Sequence, residues 1–122
     1  MWKERPGIKT MQAAGRLRPG EMNRTEAAYG KLLNDRLIAG EIIWYAFEFV
    51  TLKIAADTRY TPDFAVLLAN RDLEFHEVKG FAMDDSMVKI KVAARLFPAR
   101  FYLIHALPKK LGGGWDIKEV PA

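Results

Sequence analysis

The sequence predicts one mixed α/β domain, a central mixed sheet flanked by helices, with elements in the order α-β-β-β-α-β. Three observations carry this. A helical apolar pattern with signals at both ends lies between Asn23 and Gly40. Three stretches rich in aromatic and β-branched residues, separated by turn residues, fill Ile42 to Lys79. An apolar helix of crossover length then precedes a short apolar strand.

Asn23 or Thr25 is placed to cap the first helix, which runs to about Ala39 with Ala27, Ala28, Leu32, Leu33, Leu37 and Ile38 as its apolar positions and Gly40 as its stop. Ile42 to about Ala55 reads as one long strand or two shorter ones. Asp57–Arg59 reads as a turn, Tyr60–Leu68 as a strand, Asn70-Arg71-Asp72 as a tight turn and Leu73–Lys79 as the next strand, together an antiparallel meander. Gly80 ends that strand, Asp84 or Asp85 caps a second helix, and Pro98 ends it near Phe97. Phe101–Ala106 follows as a buried strand, expected parallel to Leu73–Lys79 because a helix connects them. Trp115–Val120, after three glycines, is read as an edge strand or a tail.

The chain of 122 residues, half of them hydrophobic, suits one domain with a real core. With no cysteine, disulfides, thiolate nucleophiles and cysteine-based zinc sites are excluded, and no apolar run approaches the roughly 20 residues a membrane span needs. A soluble, cytoplasmic protein with no membrane partner is expected. Residues 1–24 hold six basic and two acidic residues, whereas the rest of the chain carries thirteen of each, so the whole +4 excess lies at the N-terminus. The expected organisation is a basic arm, residues 1–23, followed by a single domain, residues 24–122. Arg16 and Arg18 in the arm are candidates for contact with a phosphate backbone, against the alternative of a solvated tail.

Chemistry concentrates in two stretches, Tyr60-Thr61-Pro62-Asp63-Phe64 and Phe75-His76-Glu77-Val78-Lys79-Gly80. On a strand, Glu77 and Lys79 share one face about 7 Å apart, while His76 and Val78 share the other. Asp63, on the expected neighbouring strand behind Pro62, reaches the same place. Converging carboxylates repel unless a cation lies between them, and Mg²⁺ is held through one or two carboxylates with waters left for substrate phosphate. Lys79 is then available to position the attacking water and to stabilise developing charge. The pattern points to phosphodiester hydrolysis. The plain alternative is a turn residue at Asp63 and a solvated ion pair at Glu77 and Lys79. That alternative is opposed by Leu73 and Phe75, which put the charges on an apolar face. Glu26, in the first turn of a helix, reads from its residues alone as an acid favoured by the macrodipole.

These residues resemble the phage endonuclease I group of Holliday-junction resolvases, PD-(D/E)XK nucleases with a restriction-endonuclease-like core. The resemblance runs from about Arg24 to Ala106, through Glu26, Tyr60-Thr61-Pro62-Asp63-Phe64, Glu77-Val78-Lys79-Gly80 and the helix behind them. It implies a catalytic set of Glu26, Asp63, Glu77 and Lys79. It also implies a metal site of Asp63, Glu77 and the Val78 carbonyl, served by Mg²⁺ with Mn²⁺ able to substitute. Members of this group pair through exchanged elements and carry a basic C-terminal extension that this chain largely lacks. The expectation is a metal-dependent DNA endonuclease selective for branched DNA. The alternatives are a nuclease of linear duplex or single strands, a nuclease-fold protein that binds DNA without cutting, and an interaction protein whose motif is coincidental.

Residues 87–97 place apolar groups on nearly every side of their helix, with Lys91 and Arg95 in one stripe and Lys89 elsewhere. These three are the candidates for DNA contact in the body of the domain. Val88, Val92 and Leu96 are expected to meet the first helix or a second subunit of a homodimer, which would present two sites to two strands. His76 and His105 have no partner at metal-binding spacing and read as packing or surface residues. Trp2, Trp44 and Trp115 read as core or interface residues, with Trp2 also able to stack on an exposed base.

Overall fold

The computed structural model describes residues 20–79 and 85–122. Arg16, Arg18, Trp2, and the roles expected of Gly80 and Asp84, lie outside them. The fold is mixed α+β with a mixed central sheet and two helices. Helix α1 (Arg24–Ile38) is followed by strands β1 (Ile42–Phe47), β2 (Leu52–Ala55), β3 (Thr58–Tyr60), β4 (Phe64–Leu68) and β5 (Leu73–Lys79). Helix α2 (Asp85–Leu96), strand β6 (Arg100–Ala106), a short 3-10 turn (Lys109–Leu111) and strand β7 (Trp115–Val120) complete it. The five-stranded sheet has the order β1-β4-β5-β6-β7, and β2 and β3 pair separately.

Helix α1 starts where its sequence supplies both halves of a capping box. The Asn23 side chain accepts the Glu26 N–H, and the Glu26 side chain accepts the Asn23 N–H. It ends before Gly40, whose φ of 82° suits glycine. The Asn70–Asp72 turn joins β4 to its antiparallel partner β5, and Arg71 takes the left-handed position at φ 75°. As the helical crossover requires, β6 is parallel to β5. β7 is the edge strand, antiparallel to β6.

Of the two readings open for Ile42–Ala55, the structure takes two strands, because Glu48 adopts φ 51° and turns the chain after Phe47. Two expectations need correction. Tyr60–Leu68 is broken at 61–63, so Asp63 precedes β4 and does not lie within a strand. The turn after β2 is Ala56–Asp57, with Asp57 at φ 57°, and Thr58 and Arg59 belong to β3. Pro62 lacks an N–H and cannot continue a ladder, which explains the break. The element order therefore gains β3, which the sequence reading divided between the turn and the following strand.

The helices cover opposite faces of the sheet. On the α1 face, Tyr29, Leu33, Ile42, Phe64, Val66, Val78 and Ile104 form one apolar cluster. On the α2 face, Ile54, Tyr60, Phe75, Ile90, Ala93, Phe101, Leu103 and Val120 form the other. Met22, ahead of α1, is buried in the first cluster. Full burial of the Phe64 ring contributes about 3 kcal/mol. This layering excludes α1 as the cover for the outer surface of α2. Val92 packs against the α2 cluster, while Val88 and Leu96 stay exposed at 67% and 56%. Among the described residues, no helix is long and apolar enough to cross a membrane.

Candidate active site at the end of β5

β5 is buried on both faces, and its alternation sends Phe75, Glu77 and Lys79 toward α2 and Glu74, His76 and Val78 toward α1. Glu77 and Lys79 are only 5% and 6% exposed, so the acid and base lie on a core face. They pair directly, with Lys79 Nζ 3.3 Å from Glu77 Oε2. The other carboxylate oxygen, Glu77 Oε1, accepts the Tyr60 hydroxyl at 2.6 Å. The Lys79 ammonium also donates to Ser86 Oγ in the first turn of α2. Tyr60 therefore holds one side of Glu77, and Lys79 the other.

The register brings Asp63 to this end of β5, because Phe64 pairs with His76. Asp63 Oδ2 accepts the Val78 N–H at 2.8 Å, so its carboxylate is fixed against the backbone between the two catalytic candidates on β5. Burial raises the Asp63 carboxyl well above its ordinary range, and the nearby Glu77 and Glu26 carboxylates raise it further. Its backbone hydrogen bond and Lys79 act the other way without reversing the shift.

Glu26 has both roles open to it in the sequence. Its Oε1 accepts the Asn23 N–H at 2.9 Å, which is the structural role of a first-turn acid. The same carboxyl is raised by desolvation, against the lowering effect of its Asn23 backbone hydrogen bond, and the charges of Glu48 and Glu77 raise it further. Thus Glu26, Asp63, Glu77 and Lys79 gather from α1, the 61–63 turn and β5. Among the described residues, no three His, Cys, Asp or Glu side chains form a ready-made metal cage.

Of the other candidates, Lys91 and Arg95 are exposed on α2 and Lys89 is half-buried. Val78 contributes its N–H to Asp63 and its side chain to the α1-face cluster.

Sequence reasoning missed three participants. Tyr60 reaches Glu77 across 17 residues of chain, and no spacing rule signals that contact. Ser86 meets Lys79 only because α2 starts beside the end of β5. Glu48 adds its charge near Glu26, donates its N–H to the Asp63 carbonyl at 2.8 Å and accepts the Gly20 N–H at 2.9 Å. Its positive φ gave no signal, since that conformation is uncommon outside glycine.

On the opposite face, His76 is 2% exposed and joins a buried chain. Its Nδ1 lies 2.6 Å from Tyr29 Oη, and its Nε2 lies 2.9 Å from Glu74 Oε1. Burial lowers the His76 pKa despite the favourable Glu74 contact, so the ring is neutral at neutral pH. The expected packing role fits His76, whereas His105 at the end of β6 is half-buried.

A pocket lined by Asp72, Leu73, Pro98, Ala99 and Arg100 lies at the amino ends of β5 and β6. The carboxylate cluster gathers at the carboxyl end of β5, the customary location of sites on parallel strands. Compared with known proteins, the chain matches no family model, no curated protein and no solved structure at a significant level.

Proposed function

We propose that this protein is a divalent-metal-dependent DNA endonuclease with a PD-(D/E)XK core, hydrolysing phosphodiester bonds and preferring branched DNA. The observation that carries the proposal is the convergence of Asp63, Glu77 and Lys79, all buried, at one end of β5 with Glu26 beside them. A structural ion pair needs one acid and one base. Here the additional carboxylates raise the cost of one another's ionisation, a burden that a binding role for a cation explains.

The donor set suits Mg²⁺, which is commonly held by one or two carboxylates with water and phosphate completing its shell. Asp63 and Glu77 are the side chains that would hold it, and the resemblance adds the Val78 carbonyl. Such an ion supplies Lewis-acid stabilisation of charge on the phosphate and favours deprotonation of water. Mn²⁺ is expected to substitute.

The chain's own residues do the remaining work. Lys79, fixed by Glu77 and Ser86, holds a positive charge beside the carboxylates, where it is positioned to orient water and offset charge on the phosphate oxygens. Glu26 is proposed to accept a proton near Asp63, since burial raises its carboxyl above the ordinary range and makes it a stronger base. The exposed Lys91 and Arg95, together with Lys89, are proposed to contact DNA phosphates, as are Arg16 and Arg18 of the arm. A homodimer in the cytoplasm of a phage-infected host is the setting the resemblance suggests.

The test is cleavage of a labelled four-way junction and of a linear duplex with the same sequence, in Mg²⁺ or EDTA, by wild type and Lys79→Ala. Metal-dependent cutting that favours the junction and disappears in the variant is expected. Equal cutting of both substrates would replace the junction preference with a general nuclease. Binding without cutting under every condition would leave a DNA-binding protein only.

A further inference from the structure

The β2–β3 hairpin stands apart from the five-stranded sheet, and its two faces differ sharply. Leu52, Ile54 and Tyr60 point toward α2 and join its core cluster. On the other face, Lys53 and Arg59 are exposed and directly opposite one another in the antiparallel register. Like charges at facing positions destabilise a strand pair. Among the described residues, neither cation forms an ion pair, although Asp57 sits in the turn between their strands.

The base of this hairpin is tied to the candidate active site. Tyr60, the residue after Arg59, donates its hydroxyl to Glu77. The Thr51 and Thr61 hydroxyls lie 2.7 Å apart across the hairpin base. Arg59 precedes Asp63 by four residues, a span of at most about 14 Å of chain. Two exposed cations, neither ion-paired among the described residues, are thus carried on a short ribbon anchored at the candidate carboxylates. A small two-stranded ribbon is marginal by itself, and the facing cations weaken it further.

We propose that the exposed face of the β2–β3 hairpin is a DNA-backbone contact, with Lys53 and Arg59 each engaging a phosphate of the strand that enters the active site. This rests on the nuclease reading above and adds to it a surface that fixes the substrate's path. The bound polyanion removes the repulsion that the facing cations impose on the free protein. Backbone contact of this kind positions the duplex without reading its sequence.

The test uses the full chain and a fluorescent four-way junction, in EDTA, with binding followed by anisotropy across a series of salt concentrations. For Lys53→Ala combined with Arg59→Ala, the slope of log affinity against log salt falls in magnitude by about 1.8, or 0.9 for each lost phosphate contact. Lys53→Glu separates binding from folding, because it turns the facing pair into an attractive one. Its melting temperature is expected to equal or exceed that of wild type while its DNA affinity falls by at least tenfold. If glutamate unfolds the hairpin, Lys53→Gln replaces it in both measurements with the same expected directions. An unchanged salt slope in the folded double variant overturns the hairpin contact alone, provided the wild type binds. Absence of DNA binding by the wild type overturns the nuclease reading as well.

Discussion

The two faces of β5 bury polar groups to a similar extent, yet they balance them differently. Toward α1, the Tyr29 hydroxyl, the His76 ring and the Glu74 carboxylate form a closed chain in which one acid meets neutral partners. Toward α2 and the end of the strand, Glu77 pairs with Lys79, but Asp63 and Glu26 add charge that one ammonium does not offset. A satisfied network stabilises a fold, whereas surplus like charge weakens it. Burial of polar groups is thus a poor marker of function by itself, and the excess of one sign is the better one.

The largest expected effect tests the surplus directly. Lys79→Ala is expected to lower cleavage by about 10²–10⁴-fold, the range of a lost acid–base or charge-stabilising group. Asp63→Asn should also abolish cleavage, yet it should raise the metal-free melting temperature. The sign follows from its raised carboxyl: ionisation costs more in the folded state, so the acid's relative stability is present at low pH and is lost as pH rises through its folded pKa. The melting advantage of the asparagine variant should therefore be large at neutral pH and shrink toward pH 4. A variant less stable than wild type throughout that range would show that the Val78 contact outweighs the repulsion.

The boundary between the two faces is sharpened by Tyr60→Phe. This removes only the hydroxyl that holds Glu77 Oε1, leaving the ring in the α2 cluster. Groups that orient a metal ligand typically contribute 10–100-fold in affinity or activity. Calorimetric titration with Mn²⁺ should show weaker binding in that range, with little change in melting temperature. If affinity is unchanged and only stability falls, Tyr60 belongs with the structural network and not with the site.

Tyr29→Phe makes the converse comparison. It strands His76 Nδ1 in a site where Tyr29 is fully buried, at a cost of about 1–3 kcal/mol. Chemical denaturation should show that loss, while kcat in the folded population stays within a few-fold of wild type. Tyr29 and Glu26 lie on one stretch of α1, three residues apart. A fall in kcat exceeding the fall in stability would mean that the buried chain also aligns Glu26.

What was legible in the sequence was local or periodic. The start of α1 was read from a capping residue, Asn23 or Thr25, and the structure settles it on Asn23 because Glu26 completes a capping box there. The Asn70–Asp72 turn and the apolar run after it gave β5 from Leu73 to Lys79, and period-two alternation put Glu77 and Lys79 on one side. β3 escaped because the turn signal of Asp57 was extended over Thr58 and Arg59, while Glu48 takes a backbone conformation its residue type does not advertise. Tyr60 to Glu77 and Tyr29 to His76 span 17 and 47 residues, so their pairing exists only after strands align. The crowding of Glu26 on Asp63 likewise depends on where α1 is laid against the sheet.

The smallest effect separates the faces by their response to acid. In the unfolded chain His76 titrates near pH 6.5, while burial holds its folded pKa lower. Below about pH 6.5 the unfolded state gains a proton that the folded state refuses, so this group's contribution is present above that pH and is lost as pH falls toward the folded pKa. The loss is at most about 1.4 kcal/mol for each pH unit in that window. Asp63 and Glu26 have the opposite sign, so the wild-type profile mixes the contributions. Measuring denaturation from pH 7.5 to 5 in Asp63→Asn combined with Glu26→Gln removes both opposing carboxyls and should expose the decline. Adding His76→Gln to that background should flatten it, since glutamine does not titrate. A decline that persists after His76 is replaced would assign the acid sensitivity to other groups and leave the α1 face with a purely packing role.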